Sequence, residues 1–270
     1  MTYETFNVTI ENKIAQVSFN RPEKFNALNE TAWRELETIF NTLSDTPEAR
    51  VIILSGEGKH FCAGIDLSLL MSVNQKAADA CRGRSSEKVR QLVFQLQAPI
   101  NAIENCSKPV LAAIHGGCIG GGVDIVTACD MRYATDDAYF TIREIDVGMV
   151  ADLGTLQRLP KIIGDGMARE MAYTGRKVFG PEAKEIGLTN RSYADKETMM
   201  AEVTELAALI ASKSPLSIRG TKEIVRYTRD HSVADGLNYI ATWNAAMLLS
   251  DDLIESAQAM MQKREPVFKD

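Results

Sequence analysis

Five of the seven residues from Gly116 to Gly122 are glycine, and they follow directly on the apolar stretch Val110-Leu111-Ala112-Ala113-Ile114. A continuous apolar run of that length reads as a buried strand. Glycine at such density costs backbone entropy, so the chain there must take unusual angles or bring another group close to its main chain. The residues that follow, Val123 to Cys129, read as a short apolar helix. Strand, glycine turn and helix in this order place the segment in an α/β core, where ligands gather at the C-terminal ends of strands. Amides that open a helix have no partner within it and lie at the positive end of its dipole. The Gly121 N–H is therefore suited to meet developing negative charge.

A second segment is built the same way. Val51-Ile52-Ile53-Leu54 closes in Ser55-Gly56-Glu57-Gly58 and leads to Phe61-Cys62-Ala63-Gly64-Ile65-Asp66, a turn that would aim the Ile65 N–H at the same point. Two amides on one oxygen make an oxyanion hole, and losing one such donor costs ~10²–10³ in rate. Nucleotide-binding loops do not fit. The 116–122 run matches G-x-G-x-x-G in no register, and Gly175-x-x-x-x-Gly180 is followed by Pro181 where a P-loop needs lysine.

Elsewhere the patterns are ordinary. Residues 5–10 and 14–19 alternate apolar and polar around Glu11-Asn12-Lys13, a hairpin signature. Asn29 is predicted to cap a helix carrying Trp33, Leu36, Ile39, Phe40 and Leu43 and ending before Pro47. The polar stretch 74–87 reads as a mobile loop or a loosely packed helix, and Glu197 to Lys263 as successive helices. The expected organisation is an α/β core over 1–196 with a helical C-terminal region over 197–270.

Composition narrows the function classes. A formal charge of −6 gives no whole-chain positive field, so neither nucleic acid nor an anionic membrane is an expected partner. Five cysteines without a C-x-x-C pair imply a reducing compartment and no disulfide framework. His60, His115 and His231 form no metal-binding spacing, and no metal is expected. No apolar stretch reaches the ~18 residues of a membrane span. The start, Thr2-Tyr3-Glu4, is no basic and apolar leader, and the end, Val267-Phe268-Lys269-Asp270, is not Ser-Lys-Leu, so the expected location is the cytosol.

Three acids follow the glycine run. Asp124 falls in the first turn of the helix, Glu144 follows the strand-like Tyr139-Phe140-Thr141-Ile142, and Asp152 sits within Gly148-Met149-Val150-Ala151-Asp152-Leu153-Gly154. Each has a bland reading: a charge at a helix N-terminus, a solvated strand end, and an N-cap for a helix around Thr155 to Leu159. The apolar setting of Asp152 argues for more. Desolvated, mutually repelling carboxylates have raised pKa values, which lets one act as acid while another acts as base.

With these residues in view, the chain resembles the enoyl-CoA hydratase/isomerase (crotonase) family from about Thr5 to Phe268. The resemblance runs through Asn20-Arg21-Pro22-Glu23-Lys24-Phe25-Asn26-Ala27-Leu28, Phe61 to Leu67, Gly120-Gly121-Gly122 and Gly180-Pro181-Glu182-Ala183. It implies a ββα spiral core, an oxyanion hole of Ile65 and Gly121, and a CoA thioester substrate held around Lys24, Ala27, Ala63, Gly64, Asp66 and Leu67. Lys263 or Lys269 would face its phosphates. It implies no cofactor beyond the CoA of the substrate, and assembly as a homotrimer or homohexamer. Hydratases of the family carry two glutamates where this chain has Asp124 and Glu144, and an uncharged residue where it has Asp152. The trio Asp124, Glu144 and Asp152 is similar to that of members that isomerise 3,5-dienoyl-CoA to 2,4-dienoyl-CoA in fatty-acid β-oxidation. The resemblance leaves two other functions open: hydration of trans-2-enoyl-CoA, and non-catalytic binding of acyl-CoA or RNA.

Overall fold

The computed structural model describes residues 2–270. The chain opens with the hairpin of β1 (Phe6–Glu11) and β2 (Ile14–Phe19), paired antiparallel. Asn12 and Lys13 turn it with φ of 52° and 67°, the two positive angles of a type I′ turn whose twist matches the strands. α1 (Glu30–Asp45) starts at Asn29, whose side-chain oxygen accepts from the Ala32 N–H at 2.9 Å. Its Trp33, Leu36, Ile39, Phe40 and Leu43 are buried at the three- and four-residue spacing of one helix face.

The remaining elements, in chain order, are β3 (Val51–Gly56), α2 (Leu67–Lys76), α3 (Arg82–Asn105), β4 (Val110–Ile114), β5 (Gly117–Ile119), α4 (Gly121–Ala128), β6 (Met131–Thr135) and β7 (Tyr139–Thr141). After them come α5 (Thr155–Ile163), α6 (Asp165–Thr174), β8 (Val178–Phe179), α7 (Gly180–Glu185), β9 (Arg191–Tyr193), α8 (Lys196–Ala211), α9 (Pro215–Arg229), α10 (Val233–Met247) and α11 (Asp251–Gln262). Two sheets result. The larger runs β1-β2-β3-β4-β6-β9, parallel from β2 onward, and the smaller is β5-β7-β8. Strands covered on both faces must be apolar at every position. On β3, Ile52 and Leu54 face the main core with α1, α3 and α4, while Val51 and Ile53 face α8 through Met199, Val203 and Ala207.

Stretch 74–87 is helical at both ends. α2 runs to Lys76, five residues link it to α3, and Asp79 holds that link by accepting from the Cys81 N–H at 2.9 Å and pairing with Arg84 and Lys88 at 3.2 and 3.0 Å. Its exposed, polar surface leaves no apolar period to read. α3 also continues through Pro99, at which a sequence pattern would end it. The C-terminal tail folds back onto the core. Buried Arg50 pairs with Asp270 at 2.5 Å and donates to the carbonyls of Phe268 and Ala211 at 2.8 and 3.1 Å. Among the described residues no helix is long and apolar enough to cross a membrane.

Candidate active site

Two glycine turns meet in the space between the sheets. Cys62 donates to the Gly117 carbonyl at 3.0 Å and accepts from the Ile119 N–H at 2.9 Å, zipping the first turn onto β5. Gly64 has φ 85°, and a side chain there would collide with the Ile119 carbonyl at 2.7 Å, so only glycine lets the turns approach this closely. Gly120 has φ 51°, and its carbonyl accepts from the Val123 N–H at 2.7 Å, starting α4 at Gly121. The two amides then converge. A methyl placed on Gly121 would lie 3.7 Å from the Ile65 nitrogen, and one on Gly64 3.3 Å from the Gly121 nitrogen. Among the described residues neither N–H donates to a turn, loop or side-chain oxygen.

The acids come from three different elements. Asp124, on α4, is fully buried; its Oδ1 accepts from the Thr155 N–H at 2.6 Å, at the start of α5, and its Oδ2 has no partner. Burial pushes its pKa up to about 6 against the pull of that amide, with Asp152 adding to the rise. Glu144 opens a 3₁₀ turn, Glu144–Val147, after β7. A methyl on Gly120 would lie 3.1 Å from its Oε1, so its carboxylate borders the glycine turn, and its buried Oε2 is unpartnered. Burial first, then Asp124 and Asp152, raise the Glu144 pKa to about 7. Asp152, half-buried in the loop before α5, is also raised by burial. It is not the cap of α5, whose N-cap is Gly154. Asp152 adds to the rise of both Asp124 and Glu144, and Asp124 to that of Glu144, so the three carboxyls lie near one another.

The remaining candidates are also brought together. Ala63 donates to the Phe25 carbonyl at 3.0 Å, Leu28 to Gly64 at 2.8 Å and Asp66 to Leu28 at 3.0 Å, so residues 24–28 lie along the 63–67 turn. Arg21 reaches the Ala27 carbonyl and pairs with Asp66 at 3.5 Å. Asp66 caps α2 through Ser68, whose hydroxyl and N–H hold its carboxyl below the usual range. Lys24 and Leu67 are exposed on this rim, and Lys263 ends α11.

Several supporting residues were not singled out from the sequence. His60 accepts from the Gly117 N–H at 2.8 Å, and His115 bonds the Gly58 carbonyl at 2.9 Å, so both histidines brace the glycine turns. Gln97 on α3 donates to the Asp152 carbonyl at 2.6 Å. Arg158 of α5 bonds Asn101 and Glu104 of α3 at 2.9 and 2.7 Å. The available signal was the spacing of Gln97, Asn101 and Glu104, which puts three polar side chains on one face of a helix. A cavity of about 500 Å³ between α1, α2 and α3 is lined by Trp33, Leu69 and Leu96 and lies apart from the acids. Among the described residues no group of three His, Cys, Asp or Glu is placed to hold a metal ion.

The family model described as enoyl-CoA hydratase/isomerase matches residues 9–270. The chain belongs to the enoyl-CoA hydratase/isomerase family. Among its relatives in that family is the peroxisomal Δ3,5-Δ2,4-dienoyl-CoA isomerase of Arabidopsis thaliana, 48% identical over 99% of this chain and 96% of that protein. The mitochondrial Δ3,5-Δ2,4-dienoyl-CoA isomerase of Homo sapiens is 47% identical over 98% of this chain and 81% of that protein. A solved enoyl-CoA hydratase from Bacillus anthracis superposes with a TM-score of 0.89 at 30% identity, covering 98% of this chain and 99% of that one. The fold is thus the crotonase fold expected from the motifs. The cytosolic expectation is overturned, because the first two relatives are named peroxisomal and mitochondrial. An address is a short segment read by a receptor, and the composition of the folded body carries no trace of it.

Proposed function

We propose that this chain isomerises 3,5-dienoyl-CoA to 2,4-dienoyl-CoA, a step of fatty-acid β-oxidation. The observation that carries the reading is the third acid: Asp152 lies close enough to Asp124 and Glu144 to raise the pKa of both. Relatives that bear the isomerase name at 47–48% identity support it. The thioester oxygen accepts from the Ile65 and Gly121 amides, which withdraws charge from C2. Ionised Glu144 takes a C2 proton; the C–H electron pair moves into a dienolate spread over the oxygen, C2, C4 and C6. The proton passes from Glu144 to Asp152, which delivers it to C6, so both acids end in the state in which they began. General acid–base steps of this kind contribute ~10²–10⁴ each. The amides hold the dienolate oxygen in a site that need not reorganise.

Asp124 acts differently in this reading. Its Oδ1 is committed to Thr155, so it sets the charge felt by Glu144 and positions α5. CoA lies along Lys24, Ala27 and Ala63 to Leu67, with Lys263 or Lys269 toward its phosphates, and the reaction uses no other cofactor. Assembly as a trimer or a pair of trimers would cover apolar side chains exposed in the C-terminal region, among them Leu249 in the link between α10 and α11, 91% exposed, and Met260 on α11, 81% exposed. The direct test is Asp152→Asn. Its isomerisation rate is expected to fall by at least ~10² with an unchanged thermal midpoint, and near-normal turnover would remove Asp152 from the mechanism.

A further inference from the structure

Asp152 sits on a backbone segment with little of its own to hold it. The five residues 149–153 run between Gly148 and Gly154, both with positive φ, and none of the five belongs to a helix or strand. Ala151 and Leu153 are buried at 5% and 7% exposure, which turns the intervening Asp152 away from them and toward the other acids. At one end the Met149 N–H donates to the Glu144 carbonyl at 2.9 Å. Among the described residues, the one side chain that bonds the backbone of these five residues is Gln97, through Nε2 to the Asp152 carbonyl at 2.6 Å.

Gln97 is itself well anchored. It lies on α3 one turn before Asn101, and both Asn101 and Glu104 on the same helix hold the Arg158 guanidinium at 2.9 and 2.7 Å. α3 therefore grips the chain on both sides of Gly154, at Asp152 and at Arg158. Proton transfer to a chosen carbon requires the acid to be held within ~0.5 Å of its productive position, and a ~1 Å error costs ~10² in rate.

We propose that Gln97 is a positioning residue for the isomerisation, its side-chain amide fixing the Asp152 main chain so that the Asp152 carboxyl meets the distal carbon of the dienolate. The inference rests on the assignment of Asp152 as the acid at C6. It makes a claim that a merely structural hydrogen bond does not. Among the described residues Gln97 makes no hydrogen bond to Glu144 or to the Ile65 and Gly121 amides, so loss of its amide leaves C2 proton removal in place and slows delivery at C6 most. A dienolate that waits returns to substrate by taking up a solvent-derived proton at C2.

The test compares wild type, Gln97→Met, Gln97→Glu and Asp152→Asn in D₂O with 3,5-dienoyl-CoA. Deuterium entering C2 of recovered substrate is read by mass spectrometry, and conjugated product by absorbance. For Gln97→Met, kcat for isomerisation is expected to fall about 10- to 100-fold, while C2 exchange persists, KM changes little and the thermal midpoint holds. Gln97→Glu preserves the shape of the side chain but cannot donate when ionised, and is expected to show the same split. Wild-type isomerisation in both Gln97 variants, or exchange and isomerisation falling together, would overturn the proposal. Slow isomerisation in Asp152→Asn alone leaves the Asp152 assignment standing and Gln97 without a role. Normal isomerisation in Asp152→Asn sinks both.

Discussion

Gly121 can be tested without disturbing the fold around it. A methyl there meets Gly64 Cα, Ile65 N and Leu28 Cδ1 at 3.7 Å each, ordinary contacts, and its φ is not positive. Gly121→Ala is expected to fold while its methyl stands before the Ile65 N–H, lowering kcat by ~10²–10³; an active, stable variant would displace the oxyanion hole. In the proposed mechanism Glu144 must be ionised to remove the C2 proton. With its pKa raised to about 7, kcat/KM is expected to fall as pH drops through that value, and a profile flat down to pH 5 would contradict its role as base. Asp124 gives a stability signature. Its pKa rises from 3.8 to about 6 on folding, so its contribution to stability is complete below pH 3.8 and is lost as pH rises through about 6. The loss is on the order of 3 kcal/mol. Asp124→Asn is therefore expected to gain thermal stability over wild type progressively between pH 4 and 7, and parallel melting profiles would contradict this.

The elements that build the site were legible to different degrees. β3 and β4 announce themselves as unbroken apolar runs because both faces of the sheet are covered. The glycines at 64 and 120 mark places where backbone meets backbone or a carboxylate. The convergence of Asp124, Glu144 and Asp152 was not visible in spacing, since the three lie on α4, a 3₁₀ turn and a loop that only the tertiary fold brings together; family resemblance supplied it. α3 was the least readable, because its exposed N-terminal half has no apolar stripe and the face it turns to α5 and its preceding loop carries Gln97, Asn101 and Glu104. That polar face holds α5. Arg158 and Glu104 are 10% and 15% exposed and 2.7 Å apart. Arg158→Ala is expected to cost about 3 kcal/mol in urea denaturation; a cost near zero would show that α3 and α5 are held by apolar packing alone.

At the scale of the whole molecule, the parallel sheet carries both glycine turns at one end, and the C-terminal tail is clamped back by Arg50. The cytosolic expectation rested on the first and last residues and the cysteines, and the relatives named peroxisomal and mitochondrial overturn it. The exposed apolar side chains of the C-terminal region set an expectation for assembly: sedimentation velocity should return a trimer or hexamer, and a monomer at micromolar concentration would leave Leu249 and Met260 unexplained. The central claim is the choice of reaction on a fold shared with hydratases. It is tested most directly by measuring kcat/KM of the same enzyme for 3,5-dienoyl-CoA and for trans-2-enoyl-CoA by absorbance. Isomerisation of the diene should exceed hydration of the enoyl thioester by at least ~10². Faster hydration would make the protein a hydratase and Asp152 a bystander.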